Sequence, residues 1–215
     1  MQKRYTFKGG NDMKIIFASG NAKKTAEIQR MAPEEIEIIC LKDIPEAAGI
    51  PQAKENGRTF EDNAIIKAKY WAEILKMPVL AEDSGIEIEA LNGYPGIYTK
   101  RCVEDLCPGA DINVDNPGEL YPLLLELMKE SGNPSTEARW VSAVALSDSK
   151  ITISTEEVLQ GYMCEKSGEK EFGFDQYFKP LNFKQTLSEL LPEVKDAIGP
   201  RKRAFENILS QFENF

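Results

Sequence analysis

Short β-rich apolar runs alternate along this chain with segments whose apolar residues recur at helical spacing, and that alternation restricts the fold to the α/β class. Lys14 to Ala18 reads as a strand that ends at the turn cluster Ser19-Gly20-Asn21, which caps a helix predicted over Ala22 to Met31. Ile36 to Leu41 is a second strand, and a loop rich in proline, glycine and alanine follows up to Gly57. Thr59 and Asp62 have the spacing of a capping box, and Phe60, Ala64, Ala68, Trp71 and Leu75 form an apolar stripe until Pro78. Asn63 and Lys67 lie on the flank of that stripe, where a lysine either snorkels or reaches into a cleft. Pro78 to Ala81 is a buried-type strand that runs into a turn at Glu82-Asp83-Ser84-Gly85, and Ile86 to Ala90 alternates beyond it. Asn116-Pro117 begins a helix to about Lys129, and Trp140 to Leu146 and Ile151 to Tyr162 form a hairpin about Asp148-Ser149-Lys150. Thr186 with Glu189 repeats the cap signature, and Phe205, Ile208, Leu209 and Phe212 stripe a last helix that starts after Gly199-Pro200. Crossover helices together with a local hairpin predict a mixed sheet. Residues 1–12 read as a flexible extension ahead of Met13, which leaves 13–215 as a single domain.

At 215 residues the chain buries a sizeable core without disulfides or a structural metal. It contains no histidine, so any acid–base or metal chemistry falls to carboxylates, lysines and hydroxyls. A formal charge of −9 matches nucleic-acid phosphates poorly, and no nucleic-acid partner is expected, although a local group of lysines can hold a small phosphate ligand. Cys40, Cys102, Cys107 and Cys164 are scattered and make no zinc site. With no bilayer-length apolar run and no signal pattern at the N-terminus, the expectation is a cytoplasmic chain with reduced thiols and no membrane contact.

Four segments hold the residue types that chemistry needs. Ser19, Gly20, Asn21, Ala22, Lys23 and Lys24 combine helix-start N–H groups, close backbone approach and positive charge, which suits a phosphate, although the spacing is not that of a Walker loop. Glu82 and Asp83 stand at a strand end, where ligands of α/β sheets gather, and can hold Mg²⁺. Consecutive strand residues face opposite ways, so one acid is structural and a second carboxylate must come from elsewhere; the loop from Asp43 onward offers Glu46 and Glu55. Phe172, Gly173, Phe174 and Asp175 offer stacking faces and a carboxylate for a nucleobase. Lys195, Arg201, Lys202 and Arg203 gather positive charge about a helix start. Taken singly, each has an ordinary structural explanation: a capped surface helix, a Ser-Gly turn, core packing or a solvated basic stretch.

Their order and combination is more specific. FASGNAKKTAEI (17–28), TFEDNAIIKAKYWA (59–72), EDSGIEIEALNGYPGIYTKR (82–101), FGFDQYFKP (172–180) and TLSELLPEVKDAIGPRKRAF (186–205) resemble the non-canonical purine nucleoside triphosphate pyrophosphatases, the inosine triphosphatase or Ham1/RdgB-like family. The resemblance implies a long twisted mixed sheet flanked by helices, forming two lobes with a central cleft, in a homodimer. It also implies Mg²⁺-dependent hydrolysis of inosine, xanthosine and related deoxynucleoside triphosphates, such as ITP, dITP and XTP, to monophosphate and pyrophosphate. On this chain, Ser19 to Lys24 would hold the triphosphate, and Asp83 would serve as metal ligand and general base with Ser84 beside it. Glu55, 28 residues before Asp83, would be the second metal ligand. Phe172 to Asp175 and Arg201 would read the base, and Lys67, Lys100 and Lys195 take positions of phosphate or base contacts.

Four positions depart from the family pattern. Pro200 stands where the family places a histidine before Arg201, Lys170-Glu171 replace a glycine pair, and Gln176 replaces a proline. Proline suits a first helical position but offers the purine no side-chain donor. A pyrophosphatase of other base specificity and a non-catalytic nucleotide-binding module are the alternative readings.

Overall fold

A computed structural model describes residues 13–20, 22–99, 102, 106, 120–148, 150–169 and 174–212. The strands are β1 (Met13–Phe17), β2 (Ile36–Cys40), β3 (Val79–Ile88), β4 (Glu137–Ser147), β5 (Thr152–Met163) and β6 (Phe178–Pro180). The helices are α1 (Ala22–Met31), α2 (Phe60–Leu75), α3 (Leu120–Glu130), α4 (Pro192–Ile198) and α5 (Pro200–Phe212). One six-stranded sheet has the order β2-β1-β3-β4-β5-β6. β1 runs parallel to β2, with Met13 opposite Ile36, and parallel to β3, with Ile16 opposite Val79. β5 and β6 are antiparallel, with Tyr162 opposite Lys179, so the sheet is mixed, as expected.

The chain divides into two compact units, residues 1–83, 142–157 and 201–215 in the first and 84–141 with 158–200 in the second. In the first unit, β1 is apolar without interruption because both of its faces are covered. Ile15 and Phe17 pack with Ile28 of α1, Leu80 of β3 and Phe205 and Ile208 of α5, whereas Ile16 packs on the opposite face with Trp71 and Ala72 of α2. The second unit has its own core of Ile86, Ile88, Tyr121, Leu124, Trp140, Met163, Tyr177 and Phe178. No helix among the described residues is long and apolar enough to cross a membrane.

Several boundaries differ from the sequence reading. The predicted turn at Glu82 to Gly85 is absent: β3 continues through it, because those polar side chains find partners within the strand context. Thr186 and Glu189 do form a capping box, but it closes a single 3-10 turn, Leu187–Glu189. Pro192 forces Leu191 into the extended region (φ −62°, ψ 144°) and starts the short, unanticipated α4. The extension at 1–12 and the predicted helix start at Asn116-Pro117 lie outside the described residues.

Candidate active site

The capping box of α2 sets the first part of the site. Thr59 Oγ1 accepts from the Asp62 N–H at 3.0 Å, and Asp62 Oδ2 accepts from the Thr59 N–H at 3.2 Å. One residue on, Asn63 is fully buried; its Oδ1 accepts from the Gly57 N–H at 2.9 Å and its Nδ2 donates to Asp83 Oδ2 at 3.1 Å. One helical turn further, Lys67 Nζ lies 2.9 Å from Asp83 Oδ1 and 3.5 Å from Glu55 Oε2. The lysine on the flank of the stripe therefore reaches polar partners and does not snorkel. Gly57 is needed at this junction, since a Cβ there would meet Asp62 Cβ at 2.5 Å and Asn63 Oδ1 at 2.7 Å.

Glu82 and Asp83 take opposite sides of β3, as strand alternation requires. Asp83 meets the α2 side chains, while Glu82, 6% exposed, accepts from Arg201 Nε at 2.8 Å, Ser142 Oγ at 3.0 Å and Lys24 Nζ at 3.1 Å. Burial alone would raise the Glu82 pKa, but Arg201 and Lys24 together hold it well below the usual carboxylate range. For Asp83 the balance is reversed. Burial pushes its carboxyl above the ordinary value, against the opposing pull of Lys67 and Asn63. Of two adjacent acids, one is fixed in its charged form and the other is made more basic.

The turn at Ser19 and Gly20 lies at the same end of the sheet. The Ala18 N–H donates to the Leu80 carbonyl at 2.8 Å, which aligns the end of β1 with the segment of β3 that carries the acids. Cys40 Sγ donates to the Ser19 carbonyl at 3.2 Å, and a Cβ at Gly20 would meet nothing within 4 Å, so the turn is open on that side. α1 begins at Ala22, and Lys24 reaches from its first turn to Glu82. Asn21 and the Lys23 side chain lie outside the described residues.

The remaining expected residues divide into two groups. Arg201 is buried in the first unit, its guanidinium committed to Glu82 and, at 2.7 Å, to Glu27; it anchors α5 there, and Pro200 supplies the first helical residue. Burial would lower the Arg201 pKa, and the two carboxylates raise it instead. In the second unit, Asp175 is buried and pairs with Lys195, and Ser84 follows Asp83 in β3. The Phe174 ring lies edge-on to Tyr121, Trp140 and Phe178, with centroids 6.1, 5.5 and 5.7 Å away. Lys100, Phe172 and Gly173 lie outside the described residues, and Glu46 sits on an exposed 3-10 turn.

Sequence reasoning left Asn63 and Glu27 out of the site. Asn63 had a visible signal, its four-residue spacing from Lys67, and Glu27 another, its three-residue spacing from Lys24.

Comparisons with known proteins bear on the fold and the family. The family model described as Ham1 family matches residues 15–211. A dITP/XTP pyrophosphatase of Flavobacterium johnsoniae is 35% identical over 92% of this chain and 96% of its own length, and one of Nautilia profundicola is 39% identical over 92% and 97%. Among solved structures, a HAM1 protein from Coxiella burnetii superposes with a TM-score of 0.80 at 29% identity, covering 94% of this chain and all of that one. The Staphylococcus aureus Ham1 protein gives 0.73 at 28% identity, covering 94% and 98%. A match that takes in both units and every described residue of the Glu55, Lys67 and Asp83 group leaves one assignment: the chain belongs to the Ham1 family.

Proposed function

We propose that this chain hydrolyses non-canonical purine nucleoside triphosphates, dITP and XTP with ITP, to the monophosphate and pyrophosphate, and so removes them from the nucleotide pool. The observation that carries the reading is the group of Asp83, Lys67 and Glu55, joined to relatives whose names state that activity.

The donor set fits Mg²⁺. Two carboxylates of hard oxygen donors already surround a cation, the Lys67 ammonium, and Mg²⁺ needs only one or two carboxylates when water and substrate phosphates complete its shell. Glu55 and Asp83 would hold it, and when bound it supplies polarisation of the phosphate and acidification of a water. Water oxygen attacks the α-phosphorus, the bond from that phosphorus to the bridging oxygen breaks, and pyrophosphate departs. Asp83, made more basic by burial, takes the proton of the attacking water. Lys67 and Lys24, with the N–H groups of the turn from Ser19 to Ala22, balance the negative charge that accumulates on the leaving group. Phe174 and Asp175, with Lys195, contact the base, and Ser84 contacts substrate beside Asp83. We further propose that the chain acts as a cytoplasmic homodimer on this small-molecule substrate, without nucleic acid or membrane.

A second reading concerns the base. Pro200 has no donor and Arg201 is committed to Glu82 and Glu27, so neither is poised to read a purine 6-oxo group, which favours a broadened base preference. One experiment tests both: a panel of dITP, XTP, ITP and the four ordinary deoxynucleoside triphosphates, with and without Mg²⁺, scored for monophosphate and pyrophosphate. The expected result is Mg²⁺-dependent release of pyrophosphate with dITP and XTP preferred. Comparable turnover of the ordinary triphosphates supports the second reading, and release of orthophosphate, or no turnover, refutes the function.

A further inference from the structure

The turn from Phe174 to Tyr177 in the second unit is fastened at every residue. The Phe174 carbonyl accepts from the Tyr177 N–H at 2.8 Å, that of Asp175 from Ser188 at 3.0 Å, that of Gln176 from Ser167 at 2.9 Å and that of Tyr177 from Cys164 at 2.9 Å. Backbone bonds of this kind form whatever side chains stand there. Gln176 adds a bond that depends on its identity: it is 4% exposed, and its Nε2 donates to the Gly168 carbonyl at 2.6 Å.

The acceptor is as particular as the donor. Gly168 has φ +88°, and a Cβ on it would meet Ser188 Oγ at 2.6 Å, so only glycine presents its carbonyl in this way. From the other side, Thr186 Oγ1 donates to the Ser167 carbonyl at 3.1 Å and Ser167 Oγ donates to Glu189 Oε1 at 2.8 Å. Residues 164–168 are thus held between the Phe174 turn and the capping box at Thr186. The resemblance places a proline at 176, which has no side-chain donor; this chain has an amide there.

We propose that Gln176 is a positioning residue for base recognition, setting Phe174 and Asp175 in place through its bond to Gly168. The proposal rests on the reading that Phe174 and Asp175 contact the base. Removing the donor leaves a carbonyl without its partner and frees the turn to shift, and a site that discriminates through hydrogen bonds loses selectivity when its groups are displaced.

The test uses the full chain with Gln176→Met, which keeps the length and removes the donor. Steady-state kinetics on dITP and dGTP are measured beside amide hydrogen exchange at Ser167 and Ser188. The expected result is a KM for dITP raised about fivefold, the scale of one lost hydrogen bond, with kcat changed less than about twofold. The dITP over dGTP ratio of kcat/KM falls, and exchange at both amides accelerates. An unchanged KM and ratio overturns the proposal, as does an equal loss on both substrates, which marks a merely structural role. Should Gln176→Met fail to fold, Gln176→Leu, which also lacks the donor, is read in the same way. Wild-type protein that turns over no dITP overturns the functional reading as well, whereas active wild type with unmoved variant kinetics overturns this proposal alone.

Discussion

Asp83 and Glu82 show how the environment divides labour between like residues. Asp83 is surrounded by one lysine, one amide and a second carboxylate, and burial leaves it readier to take a proton. Asp83→Asn keeps the shape and removes the base, so turnover should fall by about 10²- to 10⁴-fold, while the melting temperature stays close to that of the wild type. Glu82 serves stability. Arg201 is 4% exposed and satisfies two carboxylates, so Arg201→Met strands buried negative charge and should cost about 3–5 kcal/mol in urea denaturation. The sign of the pH dependence follows from the depressed Glu82 pKa in the folded chain. Unfolded chain takes up the proton first on acidification, so this stabilisation is complete above the ordinary carboxylate value of 4.5 and is lost as pH falls below it. The urea midpoint should therefore drop continuously as pH falls from about 5, and less steeply in Arg201→Met.

At the scale of elements, the start of α2 joins helix stability to the site. Thr59→Ala removes the cap and should cost about 1 kcal/mol, read as a lower melting temperature with activity largely kept. Gly57→Ala strikes the same junction differently. Its Cβ would collide with Asp62 Cβ and displace Asn63 Oδ1 from the Gly57 N–H, and Asn63 holds Asp83. That variant should lose activity out of proportion to its stability, measured as kcat at a temperature where it remains folded. α2 and its cap were fully legible in the sequence, because capping chemistry and the apolar stripe agree over sixteen residues. β3 was legible only in part. Its three polar residues and a glycine in a row match a turn, and local pattern cannot reveal that Arg201, 119 positions away from Glu82, neutralises it and lets the strand continue. Lys67 shows the opposite case, a residue that spacing placed on the right flank while its partners, Glu55 and Asp83, became visible only in three dimensions.

For the whole molecule, β3, β4 and β5 each begin in one unit and end in the other, since the divisions fall after Asp83, Val141 and Glu157. Each unit thus takes its strands from the same three continuous segments. Heat denaturation should therefore be a single transition, with calorimetric and van't Hoff enthalpies equal and the same midpoint by tryptophan fluorescence and far-UV circular dichroism. The α/β class and the mixed sheet could be read from the alternation of elements. The resemblance implied two lobes, but the boundaries of the units could not be read, because they fall inside strands, where composition does not change. The pairing of β3 with β1 has one more consequence. Ile16 opposite Val79 and Phe17 opposite Leu80 fix which of two consecutive acids faces Arg201 and which faces Lys67. A frame shift of one residue would turn each acid to the other face: without Ala81, Asp83 takes the place of Glu82 in the ionic socket and Ser84 takes the place of Asp83 at the reaction centre. Deleting Ala81 should thus silence the enzyme with every side chain of the site still encoded: the strand's phase, as much as its composition, specifies the chemistry.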